Sequence, residues 1–111
     1  MASELDEMIE FSVARLATED SRDIRSLVRD LAMRWPLQSA LSLSFAISSA
    51  ASIYEETMSS TRSERVVASA YQLAALVAAD VFALEAMGQT PANCQALLHF
   101  WRRTDPYFLE L

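Results

Sequence analysis

The chain holds a single glycine, Gly88, among 111 residues. Glycine is the default residue wherever backbone must adopt positive φ or come close to a ligand. A chain with one of them is poorly supplied for tight β-hairpin turns and cannot build glycine-rich loops. Helices joined by turns rich in Ser, Thr, Asp, Asn and Pro remain. Gly88 itself follows a long apolar stretch and precedes Thr90-Pro91, where one helix is expected to stop and another to start.

Lysine is absent too, since all nine basic residues are arginine. Without lysine there is no Walker-type phosphate site and no Schiff-base chemistry. Without a second glycine there is no dinucleotide fingerprint, serine-hydrolase elbow or calcium loop. The net charge of −6 argues against affinity for nucleic acid or anionic membrane. A hydrophobic share of 52% and a charged share of 22% describe one globular domain, residues 1–111. Cys94 is the lone cysteine, so no intrachain disulfide forms, and the N-terminus lacks a signal-peptide pattern. The expected location is the cytoplasm.

Apolar periodicity predicts an all-α bundle of about five helices. The first follows Ser3 as N-cap and carries Leu5, Met8, Ile9, Val13 and Leu16 on one face, with Phe11 off that stripe. The second is expected from about Arg22 to Arg34, with Arg22, Arg25 and Arg29 together away from the apolar face. The third spans about Leu37 to Met58, with Pro36 in its first turn. Thr61-Arg-Ser-Glu64 reads as a capping box opening a fourth helix to Met87. Thr90-Pro91 starts a fifth, which Asp105-Pro106 ends, and the apolar tail Tyr107–Leu111 is expected to fold back.

Helices three and four form a central, antiparallel, Ala/Ser-rich pair. Both are apolar nearly all round, so both demand burial all round. Five helices can bury one such helix comfortably; a second copy of the chain would cover the surplus face of the other. Length also admits a membrane hairpin, but Trp35–Tyr54 carries six serines, and Val66–Leu84 carries Asp80 among many alanines.

Chemistry-bearing residues are few. His99 lacks a Glu three residues earlier and falls on the polar side of its helix, so no metal site is expected. Cys94 lies on a different face from His99 and reads as a core residue rather than a nucleophile. Asp80 shares a side with leucines, and an Arg or a serine hydroxyl would be its partner. In size, acidity and helicity the chain is similar to bacterial export chaperones of the flagellar and secretion type, a similarity of composition that carries no residues over.

The expected function is therefore non-enzymatic: an adaptor, chaperone or regulator working through protein–protein contact, as a homodimer and with a further protein. The interface residues expected are Phe11, Arg22, Arg25, Arg29, Asp80 and Phe108, with no cofactor, metal or nucleic acid. A ligand-binding or enzymatic bundle with a cavity near Asp80 is the second reading, and the membrane hairpin the third.

Overall fold

A computed structural model describes residues 3–58 and 60–110. It is an all-α bundle, with no strand among those residues. The elements are α1 (Glu4–Ala17), α2 (Ser21–Arg25), α3 (Leu27–Arg34), α4 (Ala40–Thr57), α5 (Thr61–Ala86) and α6 (Cys94–Arg103), followed by a 3-10 turn, Tyr107–Leu109.

Side-chain caps account for the helix starts. Ser3 and Asp6 cap α1 reciprocally. Asp20 accepts from Arg22 and Asp23 at the start of α2. The second helix expected from the sequence is broken in two at Ser26. Its hydroxyl donates to the carbonyls of Arg22 and Asp23 at 3.0 and 3.2 Å, a local bond that competes with continued helix. α4 begins later than expected, at Ala40 under a Ser39 cap. The intervening chain is engaged elsewhere. The carbonyls of Pro36 and Gln38 accept from Gln95 and Cys94, and Ala40 donates to Ala92, each at 2.9 Å.

That pairing also corrects the start of the last helix. Asn93, not Thr90-Pro91, caps α6, because Ala92 and Cys94 have already committed their backbone to residues 38–40. Thr90 instead serves the end of α5, its hydroxyl reaching the Glu85 carbonyl at 3.4 Å. Gly88 terminates α5 as expected. It has φ +93°, its N–H bonds the Glu85 carbonyl, and Gln89 bonds that of Leu84, the two bonds of a Schellman stop.

Only residues 58–60 separate α4 from α5, so α5 runs back along its neighbour, and this pair makes the most extensive contact in the molecule. Ser44 Oγ donates to the Ala74 carbonyl at 2.9 Å, two positions equidistant from the turn. Small residues are buried on both helices of the pair, Ala40, Ala46, Ala50 and Ala51 on α4 and Ala70 and Ala74 on α5. Larger side chains then divide. Leu43, Ile47 and Tyr54 of α4, with Leu73, Val77 and Leu84 of α5, point into the core. There they meet Met8 and Leu16 of α1, Leu27 and Leu31 of α3, and Leu97 and Trp101 of α6. Phe108 of the tail is buried against Trp101, ring centroids 4.9 Å apart. Leu111 lies outside the described residues.

The capping box at the start of α5 is one residue earlier than expected. Ser60 and Ser63 hold each other's backbone N–H at 3.0 and 2.8 Å, while Thr61 is exposed inside the helix. Ser60→Ala is therefore expected to cost about 1 kcal/mol of stability, and Thr61→Ala less than about 0.5 kcal/mol. Urea denaturation of the two variants checks the assignment; equal losses would contradict it.

Candidate functional site

The residues the sequence suggested do not converge on one place. Phe11 is half-buried and occupied within the chain. Trp35 meets it edge-on at 5.7 Å, and the guanidinium groups of Arg15 and Arg34 lie 5.0 and 5.5 Å from its ring centroid. Arg29 bonds Asp30 at 3.2 Å instead of standing free beside Arg22 and Arg25. The break at Ser26 separates it from both.

Arg15, which the sequence reading passed over, is the tie between α1 and the next two helices. One terminal nitrogen donates to the Asp23 carbonyl and the Ser26 hydroxyl, and the other bonds Asp30 at 2.6 Å.

Asp80 has an acceptor's role that neither expected partner fills. Its carboxylate accepts from Trp101 Nε1 at 2.9 Å, where an Arg or a serine was expected. The reason is topological: α6 packs against α5, and Trp101 is fully buried beside it, so the indole N–H needs an acceptor. Burial pushes the Asp80 carboxyl above its ordinary value, the Trp101 bond opposes this, and the charge of Asp105 adds to the rise. Asp80 and Asp105 line a cleft of about 400 Å³ with Gln72, Leu76, Tyr107 and Phe108. Phe108 is 2% exposed, so the surface its segment offers is that of Tyr107.

A second cleft, of about 450 Å³, lies between α2, α5 and the 3-10 turn. Arg25, Arg62 and Arg65 line it, over Ile24, Leu76 and Tyr107. None of the three arginines forms an ion pair among the described residues. Glu19 is a carboxylate on its wall, and the Tyr54 hydroxyl donates to it. Glu19 holds a left-handed backbone, φ +53°, in the turn from α1 to α2. Arg62 and Arg65 were missed because they matter only once α2 is folded against α5. The available signal was angular: Arg62, Arg65, Ser69, Gln72, Leu76 and Asp80 share one side of a helix.

Residues with catalytic potential are kept apart. Cys94 is fully buried, and burial raises its thiol to about 12. His99 is exposed, near only Arg103 at 3.4 Å. Among the described residues no group of His, Cys, Asp and Glu could hold a metal ion. No protein-family model, curated protein or solved structure matches the chain.

The folded chain holds the Asp80 proton more tightly than the unfolded chain. That contribution to stability is complete below 3.8 and is lost as pH rises through the raised folded value. Asp80→Asn cannot ionise and still accepts from Trp101, so its urea midpoint should gain on wild type between about pH 3 and pH 7. Asp80→Leu leaves the indole N–H unpartnered and should cost about 1–3 kcal/mol at neutral pH. A leucine variant as stable as the asparagine variant would refute the role of that bond. The Cys94 thiol should resist an aromatic disulfide reagent in native buffer and react at once in denaturant, because only an exposed thiolate attacks.

Proposed function

We propose that the protein is a non-enzymatic interaction module that works as a homodimer, in the manner of an adaptor, chaperone or regulator. One observation carries this reading: the outer side of the α4–α5 pair is apolar and unoccupied.

On α4, Leu41 and Phe45 are exposed, with Leu37 80% exposed just before the helix. On α5, Tyr71 is exposed and Phe82 is 75% exposed. The angular offset of these residues from the seam has the same sign on both helices. In an antiparallel pair they therefore emerge on the same side of the hairpin. Ser48, Ser52, Ala75 and Ala78 lie between them, small enough to let another helix approach closely. Residues 37–54 and 66–79 contain no charge, so over that length the face has no charged group to desolvate.

The occupant that fits is a second copy. Chains of net charge −6 repel at long range, and an uncharged contact face is where they can still meet. The face is two helices wide and about four turns long, a projected area on the order of 500 Å². Side-chain relief brings this toward the roughly 800 Å² per partner of a stable interface. Two-fold pairing would set α4 and α5 against their counterparts as a four-helix layer.

A membrane hairpin has weaker support. Among the described residues one helix, Thr61–Ala86, is long and apolar enough to cross a membrane, and a hairpin needs two. The ligand-binding reading rests on the cleft beside Asp80, where among the described residues no serine, cysteine or histidine is on the wall.

Sedimentation velocity at micromolar concentration should show a dimer. Phe82→Asp, on an exposed position, should give a folded monomer, as should Leu41→Asp. A compact wild-type monomer at those concentrations would remove the homodimer.

A further inference from the structure

The two clefts on α5 touch. Gln72, Leu76 and Tyr107 line both, so they form one trough along the side of α5 away from α4. From Arg62 to Asp80 it runs about 27 Å, at 1.5 Å per residue. Its ends differ in charge. Arg25, Arg62 and Arg65 stand at one end, and Asp80 and Asp105 at the other. Between them Leu76 and Tyr107 are 37% and 47% exposed, giving an apolar middle.

We infer that this trough is a docking groove for an amphipathic helix of a partner protein. The partner helix carries carboxylates at the end lying over Arg25, Arg62 and Arg65. It carries basic residues at the end lying over Asp80 and Asp105, and an apolar stripe between. The inference rests on the reading of the chain as an interaction module and names the chemistry of its second partner.

Charge complementarity decides the occupant. In a chain of net charge −6, three arginines on the wall of one cleft, none in an ion pair among the described residues, are a local concentration of positive charge. Arg15 and Arg29, by contrast, share the carboxylate of Asp30. The Arg25 Nε donates to the Ser21 carbonyl at 3.2 Å, which anchors the stem of that side chain. Glu19, to which Tyr54 donates, offsets part of this charge, and three arginines against one carboxylate leave that end net positive. Another chain of the same kind is poorly matched, because the hairpin face is uncharged. A helix is favoured over an extended segment because the described residues contain no strand edge to extend, and a long apolar-centred trough is the helix-in-groove geometry.

The test selects from a displayed library of helical peptides about 18 residues long, with apolar positions fixed at i, i+3, i+4 and i+7 and the polar positions randomised. The bait is the full chain. Enriched peptides should be acidic at one end and basic at the other. By fluorescence anisotropy they should bind the Arg62→Glu/Arg65→Glu variant about tenfold or more weakly, with loss at higher salt. Tyr107→Ala should also weaken them, whereas Phe82→Asp should not. Circular dichroism checks that the double variant folds, and Arg62→Gln/Arg65→Gln serves in its place if it does not.

Failure to enrich any peptide would overturn the inference. So would peptides indifferent to both arginine variants, or peptides lost with Phe82→Asp. Inorganic phosphate bound with the same arginine dependence, and no peptide enriched, would make the cleft a simple anion site and also overturn it. Sedimentation of the same samples separates the two readings. A dimer that selects no peptide refutes the groove alone, and a monomer that selects charge-patterned peptides refutes the homodimer alone.

Discussion

Where α4 and α5 meet, buried alanines lie on both helices, and Ser44 reaches across to a backbone carbonyl of the facing helix. Val67 and Val81 of α5, seven residues either side of Ala74, share its direction and are buried too. The remaining large residues of the pair lie to one side of this line or the other. On the inner side Leu43, Ile47, Leu73 and Val77 become core. On the outer side Leu41, Phe45, Tyr71 and Phe82 remain in water. Burying such side chains is worth about 1.5–3 kcal/mol each, so leaving several exposed on one uncharged face favours association. The seam that holds the fold together thus borders an exposed apolar face.

α5 serves the molecule on three sides at once. One side is the seam, the next is the outer face, and the far side carries the trough bounded by α2 and the 3-10 turn. The trough exists because the tail folds back. Phe108 packs on Trp101, Trp101 donates to Asp80, and Tyr107 is thereby set beside Leu76. Asp80 is thus a positioning residue for the tail as well as part of the acidic end. Its raised carboxyl reflects the same burial that seats the indole. At the other end Arg15 fixes α2 and α3 to α1 through Asp23, Ser26 and Asp30, which places Arg25 beside α5.

The helical class, the termination at Gly88, the Ser3 cap and the inward tail could all be read from local pattern. The first three depend on residues within a turn or two of one another, and the tail on its apolar composition. The misjudged boundaries share a different origin. Thr90-Pro91 has the chemistry of a helix start, but Ala92 and Cys94 are held by residues 38–40, more than fifty positions away. Pro36 and Leu37 stay outside α4 for the same reason. Ser60 competes with Thr61 as a cap on equal chemical terms, and Ser63, buried one turn on, decides between them. The partner of Asp80 was illegible because tryptophan looks like core in a sequence, and only the fold reveals an indole N–H in need of an acceptor. The same holds for the arginines: Arg22, Arg25 and Arg29 look like a ridge, yet Asp30 takes Arg29 while Arg25 joins Arg62 and Arg65 from another helix.

Separation of the two surfaces is what makes a two-partner role physically coherent. The hairpin face is apolar, so the proposed self-association there would depend on apolar area and change little with salt. The trough is charged at both ends, so its strength is set by screened Coulomb attraction and its direction by the order of the charges. A like-charged second copy gains nothing from the trough, and a charge-patterned helix would have to strip water from its polar groups to lie on the hairpin face. Each surface therefore discriminates against the other's occupant. Association through α4 and α5 would leave the far side of α5 open in both copies, presenting two troughs related by the two-fold axis. A partner carrying two such helices would then bind both at once, with the second contact made intramolecular and strengthened by effective concentration rather than by any new contact.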